Sequence, residues 1–197
     1  MLFYRLAILF CRIVLIFKCR IRSKGRENIP QNGGFILALN HRTNYDVLLA
    51  GITCSRPLRY MAKAELFKNK FFSWLITKCG AFPVNRGKGD IGAIKSALEK
   101  LKNNEAVLMF PEGKRVRTLE EEKNTRAKPG AVMIAIRAQV PIVPAYISGK
   151  FGFLRKITIS YGKPIYYTEY AGEKQTVDTL QELSDEMMKE IRSLRIV

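Results

Sequence analysis

The chain has 197 residues, 47% of them apolar and 26% charged, which fits one domain with a packed core and excludes disorder, collagen-like repeats and low-complexity scaffolds. Lys and Arg outnumber Asp and Glu by 34 to 17, giving a net charge of +17 and a pI near 10.0, so the expected partner is a polyanion: nucleic acid, an anionic membrane surface, a phosphorylated small molecule or an acidic protein. Cys11, Cys19, Cys54 and Cys79 form no CxxC pair and only one His is present, a pattern that argues against a structural zinc site and for a reducing, cytosol-facing environment.

Residues 1–17 are strongly apolar but interrupted by Arg5 and Arg12, so no charge-free run approaches the ~20 residues of a spanning helix. Seven positions apart, the two arginines fall within about 20° of one another on a helix. That describes an amphipathic helix lying in the membrane interface with its guanidinium groups among lipid phosphates; a core helix with two solvated arginines is the alternative. A signal peptide fits less well, because Arg breaks the apolar region and no small-residue cleavage site follows. Lys18, Arg20, Arg22, Lys24 and Arg26 come before the first acidic residue, Glu27, a cluster that an anionic leaflet attracts. Residues 1–27 are therefore expected to form an N-terminal membrane-associating helical segment, and residues 28–197 a single further domain.

After the turn Gln31-Asn32-Gly33-Gly34, short apolar runs at 35–39, 58–62, 81–84, 106–110, 142–147 and 157–161 read as strands, most of them apolar on both faces. A helix capped by Asp90 follows the third run, with Ile91, Ile94, Leu98 and Leu101 on one face and Asn103-Asn104 at its end. Residues 131–138 read as a second, short helix. Val177, Leu180, Leu183, Met187, Ile191 and Leu194 mark a C-terminal amphipathic helix packed on the sheet. Alternating strands and helices predict an α/β fold: one domain with a mixed, largely parallel central sheet flanked by helices. The polar stretch 114–128, with Glu120-Glu121-Glu122, is expected to be an exposed mobile loop beside a functional edge. The aromatic residues Phe71, Phe72 and Trp74 read more readily as core than as an acyl tunnel.

Asn40-His41-Arg42-Thr43-Asn44-Tyr45-Asp46 directly follows a buried strand, where α/β proteins place reactive groups. His41 and Asp46 are five apart, about 140° from one another on a continuous helix, so they meet only if the chain turns between them with Thr43 or Asn44 near a helix N-cap. Asp46 would then hold the imidazole tautomer while the other nitrogen takes a proton from a hydroxyl. No Ser or Cys lies within this motif, which suggests direct activation of a substrate hydroxyl rather than a covalent acyl intermediate; a His simply satisfied at a strand end is the competing reading of the pair alone. Gly-x-Phe-x-Val-x-Arg at 80–86 and Phe110-Pro111-Glu112-Gly113-Lys114-Arg115 each end a strand in cations. Arg86 and Arg115 are placed to converge on one phosphate.

These blocks, with Val140-Pro141-Ile142-Val143-Pro144 after them, resemble in kind and order those of the glycerolipid acyltransferases with a His-x4-Asp motif, in particular the bacterial 1-acyl-sn-glycerol-3-phosphate acyltransferase group. The resemblance implies that His41 is the general base, that Asp46 orients it, and that Arg86, Glu112, Gly113 and Arg115 bind the glycerol phosphate. Lys63 matches a basic position often found after the second strand and is a weaker phosphate candidate. The block with Pro144 is associated with the acyl donor and pocket wall. Because like charges repel, Glu112 is expected to orient Arg115 or its loop rather than touch phosphate. Two departures stand out: Glu112-Gly113-Lys114-Arg115-Val116 replaces the usual Glu-Gly-Thr-Arg-Ser, and Arg42-Thr43 stands where pairs such as Gln-Ser are common.

The resemblance implies a membrane-bound enzyme, peripheral or monotopic at the cytoplasmic face. It would transfer an acyl group from acyl-CoA or acyl carrier protein to the sn-2 hydroxyl of lysophosphatidic acid, with no metal or other cofactor. Another lysophospholipid or glycerol 3-phosphate is an alternative acceptor. A non-catalytic basic module for membrane or nucleic acid is the alternative of a different class, although nucleic acid is not expected because no motif for it is present.

Overall fold

In a computed structural model, which describes residues 2–84 and 91–196, the elements follow in the order α1 (Leu2–Ile16), β1 (Cys19–Lys24), β2 (Phe35–Leu39), α2 (Asp46–Thr53), β3 (Leu58–Lys63), α3 (Lys70–Lys78), β4 (Ala81–Val84), α4 (Ile91–Lys102), β5 (Ala106–Met109), α5 (Leu119–Asn124), α6 (Gly130–Ala138), β6 (Ile142–Gly149), β7 (Arg155–Tyr161) and α7 (Val177–Ser193). The strands form one sheet in the order β1-β7-β6-β2-β5-β3-β4. Every neighbouring pair is parallel except β6 and β7. The expected α/β domain with a largely parallel sheet is what the chain forms.

Alternation along β2 shows why both faces are covered. Ile36 and Ala38 point into one apolar cluster with α4, α6 and α7, while Phe35, Leu37 and Leu39 point into a second beneath α1 and α2. The inner face of α1 is fixed by Tyr4, whose hydroxyl accepts from the Leu58 amide at 3.1 Å and lies 3.1 Å from the Tyr60 hydroxyl. The helices α1 and α2 approach so closely that a Cβ at Gly51 would come within 2.8 Å of Ile8 Cδ1 and 2.5 Å of the Tyr60 hydroxyl oxygen.

Three expectations are corrected. Residues 19–24 are not helical but form the edge strand β1, in which Cys19, Ile21 and Ser23 face inward and Arg20, Arg22 and Lys24 outward; its pairing with β7 is worth more than a solvated tail, and its cations protect the edge. The stretch 114–128 contains α5, whose Thr118 cap accepts from the Glu121 amide at 3.1 Å while Glu121 accepts from Arg117 N at 2.7 Å. Buried Glu122 takes a hydrogen bond from the Tyr146 hydroxyl at 3.0 Å, and Arg192 of α7 donates to the carbonyls of Glu122 and Thr125. The stretch is therefore pinned to the core by a helix cap and a buried carboxylate. Finally, Phe71, Phe72 and Trp74 are exposed on α3 rather than core, with Trp74 set edge-on to Phe3 of α1 at 5.4 Å.

Candidate active site

The carboxyl ends of β2, β5 and β6 carry the candidate site. His41 follows β2, and the chain turns through Arg42 to Tyr45 before α2 begins at Asp46. That turn brings His41 Nδ1 to 3.0 Å from Asp46 Oδ2. The carboxylate also accepts from the amides of Arg42 at 2.6 Å and Thr43 at 2.7 Å, and from the Thr43 hydroxyl at 2.8 Å. A group that accepts from so many donors makes Nδ1 the protonated nitrogen and leaves Nε2 with its lone pair free to accept. The imidazole stacks on Phe110 with ring centroids 4.0 Å apart and is 13% exposed.

Glu112 lies directly behind this pair. Its Oε2 accepts from the His41 backbone amide at 2.7 Å, so it holds the chain at His41, where orientation of Arg115 or its loop was expected. The reason is burial: Glu112 is enclosed, whereas Arg115 leaves the turn for solvent and donates to the Asn44 side chain at 2.9 Å. Gly113 makes the turn between them possible, with φ of +67° and the Lys128 side chain so close that a Cβ would sit 2.5 Å from Cε. Val116 is buried and ties the loop back through its amide to His41 O at 2.7 Å.

Burial raises the Glu112 carboxyl to about 7, with the neighbouring Glu122 and Asp46 charges adding to the rise against the lowering effect of the His41 amide and Arg192. The folded protein thus holds this proton up to about pH 7, while the unfolded chain releases it near the ordinary 4.5. Stability therefore falls as pH rises through that window and stays lower above it, by about 3 kcal/mol for the full shift. Glu112→Gln keeps an acceptor for the His41 amide without the ionisable group. It is expected to match the wild type near pH 4.5 and to be the more stable protein at pH 8, as measured by urea unfolding at the two pH values. An unchanged difference between them would refute the raised value.

Beside Asp46 opens a cleft of about 510 Å³ with Arg42, Tyr45, Arg115, Arg117, Lys150 and Phe151 in its wall. Arg42 is anchored by donating to Gly149 O at 3.0 Å. Of the residues singled out from sequence, the structure brings together His41, Asp46, Glu112, Gly113 and Arg115. Lys63 ends β3, exposed and outside the cleft lining, because β5 stands between β3 and β2. Arg86 lies outside the described residues, as does Asp90. Pro144 sits within β6 between Ala38 of β2 and the start of the chain after β7, where its carbonyl accepts from Gly162 N at 2.8 Å; the cleft wall from β6 is instead Ile147 and Gly149. The sequence reading missed Arg42, Arg117 and Lys150 as cleft cations. Arg42 had a signal in its place beside His41, whereas Arg117 and Lys150 reach the cleft only through the fold.

The family model described as Acyltransferase matches residues 20–148. The chain belongs to the acyltransferase family. This acyltransferase is 30% identical over 190 residues to the 1-acyl-sn-glycerol-3-phosphate acyltransferase of Bacillus subtilis, a match that covers 92% of this chain and 93% of the relative. It is 35% identical over 147 residues to the Streptococcus pneumoniae enzyme of the same name, covering 71% of this chain and 53% of that one. The crystal structure of the 1-acyl-sn-glycerophosphate (LPA) acyltransferase PlsC from Thermotoga maritima has the same fold, with a TM-score of 0.73 at 23% identity over 97% of this chain and 78% of that one.

Proposed function

We propose that this acyltransferase moves a fatty acyl group from acyl-CoA or acyl carrier protein to the sn-2 hydroxyl of lysophosphatidic acid, giving phosphatidic acid. The observation that carries the reading is the His41–Asp46 pair at the edge of a cationic cleft whose described lining contains neither Ser nor Cys. The names of the relatives support the choice of acceptor.

In this reading His41 Nε2 takes the hydroxyl proton as the oxygen attacks the thioester carbonyl. The tetrahedral intermediate then collapses, the C–S bond breaks, and the thiolate leaves with the proton returned by the imidazolium. Asp46 acts through His41 by fixing its tautomer, and Glu112 by holding its backbone. Arg115, with Arg42 and Arg117, takes the acceptor phosphate, which serves to position the hydroxyl. Arg86, which follows β4, is a further contact for that phosphate in this reading.

No helix among the described residues is long and apolar enough to cross a membrane. The outer face of α1 instead exposes Leu2, Leu6, Leu9, Phe10 and Ile13, with Phe17 just past its end and Arg5 and Arg12 also exposed. At 100° per residue the arginines run along one edge of that apolar arc. Phe71 and Trp74 of α3 lie beside it. We read this surface as the part that enters the cytoplasmic leaflet of an anionic membrane.

The test supplies labelled acyl-CoA or acylated carrier protein with lysophosphatidic acid, glycerol 3-phosphate or lysophosphatidylcholine as acceptor. Labelled phosphatidic acid is the expected product, and transfer only to another acceptor, or to none from either donor, would overturn the proposal. Arg115→Ala is expected to raise the KM for lysophosphatidic acid about tenfold with a smaller change in kcat, the size of one lost charge-assisted contact.

A further inference from the structure

The hairpin tip between β6 and β7, Lys150-Phe151-Gly152-Phe153-Leu154, exposes large apolar side chains side by side, away from α1 and α3. Phe153 is 79% exposed and Leu154 57%. Leu154 also has a φ of +59°, a left-handed conformation that costs a leucine and that Gly or Asn would adopt more readily. A turn of these residues gains nothing for the folded core by exposing two large side chains on a strained backbone.

The sheet places this tip with care for its neighbours. The strands β1 and β7 are parallel with Cys19 opposite Arg155 and Arg20 opposite Lys156, so the end of α1 must emerge beside the start of β7. Phe17, 71% exposed, meets Tyr45, Phe151 and Phe153 around a groove of about 260 Å³. Tyr45 and Phe151, whose rings lie 4.6 Å apart, also line the candidate active-site cleft. The tip, the exit of α1 and the cleft therefore form one continuous surface at one edge of the sheet.

Its charge is of one sign. Lys18, Arg20, Lys150, Arg155 and Lys156 surround the tip, exposed, and enter none of the ion pairs among the described residues. No acidic residue occurs in the sequence between Glu122 and Glu169. Apolar side chains at the summit with cations around them match a bilayer whose headgroups are anionic and whose interior is hydrocarbon.

We propose that the β6–β7 hairpin is a second lipid-inserting element, which buries Phe153 and Leu154 in an anionic phospholipid leaflet and holds the mouth of the cleft against the headgroups. The inference rests on the reading of α1 as membrane-bound. With α1 alone the protein could pivot about one helix; with the hairpin it is held at two points on either side of the groove, and the cleft cations face the layer in which a lysolipid phosphate lies.

Trp74 is the sole tryptophan, so Phe153→Trp in a Trp74→Phe background gives a single reporter at the tip. The full-length protein is mixed with vesicles of phosphatidylglycerol and dibrominated phosphatidylcholine, and sedimentation measures binding. A blue shift of the emission with quenching by the bromines is expected. Sedimentation without quenching would overturn the hairpin's role and leave α1 as the anchor, and absence of sedimentation would overturn both. A blue shift that depends on protein concentration without vesicles would show that a second copy covers the tip, and would also overturn the proposal.

A second variant, Phe153→Ser with Leu154→Asn, is expected to bind such vesicles about tenfold more weakly and to melt no earlier than the wild type, since both side chains are exposed and Asn relieves the backbone. Its transfer to a short-chain lysophosphatidic acid below the micellar concentration should stay within about twofold of wild type, whereas transfer to acceptor in vesicles should fall with binding. Unchanged vesicle binding would count against the proposal. Failure of the wild type to acylate either form would sink the proposed reaction, while the quenching result would still decide the hairpin.

Discussion

His41→Ala is expected to lower kcat for acyl transfer about a thousandfold, the ordinary worth of a positioned general base, while leaving the protein folded. The imidazole is stacked on Phe110 and bonded to Asp46, yet it belongs to neither apolar cluster. Its removal leaves the Asp46 carboxylate with the Arg42 and Thr43 amides and the Thr43 hydroxyl, so the turn keeps its structure at a cost of about 1 kcal/mol. His41→Gln, which fills the space with a polar group that cannot take a proton at neutral pH, should be as inactive as the alanine variant. The chain contains no other histidine, so no neighbour can substitute. Measured kcat and melting temperature of both variants check this, and a kcat within tenfold of wild type for either would remove His41 from the role of base.

Asp46 shows a different combination of losses. Its side chain is buried and accepts from two amides, a hydroxyl and the imidazole. Asp46→Ala leaves those donors without partners at the start of α2, where the carboxylate also lies favourably near the positive end of the helix. Leaving several buried donors unmet costs about 3 kcal/mol, a melting point lower by roughly 10 °C for a domain of this size. Asp46→Asn keeps the shape but replaces one acceptor oxygen by a donor. It should stay folded and still lose activity by about a thousandfold or more, because the imidazole is no longer held with Nδ1 protonated. Calorimetry and steady-state kinetics on the pair separate the two effects. Equal activity of Asp46→Asn and wild type would show that the contact with His41 serves only the fold.

The comparison of His41 with Arg117 shows how far a sequence reaches into a site. His41 and Asp46 are five residues apart, so a single turn decides whether they meet, and the strand before them was legible from its apolar pattern. Arg42 is equally close and stood out as a departure from the usual Gln-Ser pair, but nothing local shows that its side chain turns to Gly149 at the cleft. Arg117 and Lys150 come from segments 33 residues apart in the chain, and nothing local in either points to a shared cleft. Glu112 illustrates the same limit in reverse. Its place in the motif suggested work on Arg115 or its own loop, yet its partner is the His41 amide beyond the end of β2, since burial decides which way a carboxylate turns.

Some of what was missed did have a local signal. The alternation Cys19-Arg20-Ile21-Arg22-Ser23-Lys24 is a strand period with cations on its open face, and Thr118-x-x-Glu121 is a helix-capping pattern; in both, the density of charge outweighed the period. The aromatic residues of α3 had no such signal. Whether Phe71 and Trp74 face core or solvent depends on what packs over α3, and α1 covers only part of it.

Periodicity along the chain was enough for the α/β class, six of the seven strands among the described residues and the long helices of the second layer, and the spacing of His41 and Asp46 was enough to mark them as a candidate pair. The tertiary structure alone decided the sheet order, the burial of Glu112, the assembly of the cationic cleft and the meeting of α1 with the β6–β7 hairpin. Those depend on the parallel register of β1 with β7 and of β2 with β5 and β6, and strand pairing between distant segments is selected by the packing of the whole core, which no local stretch encodes.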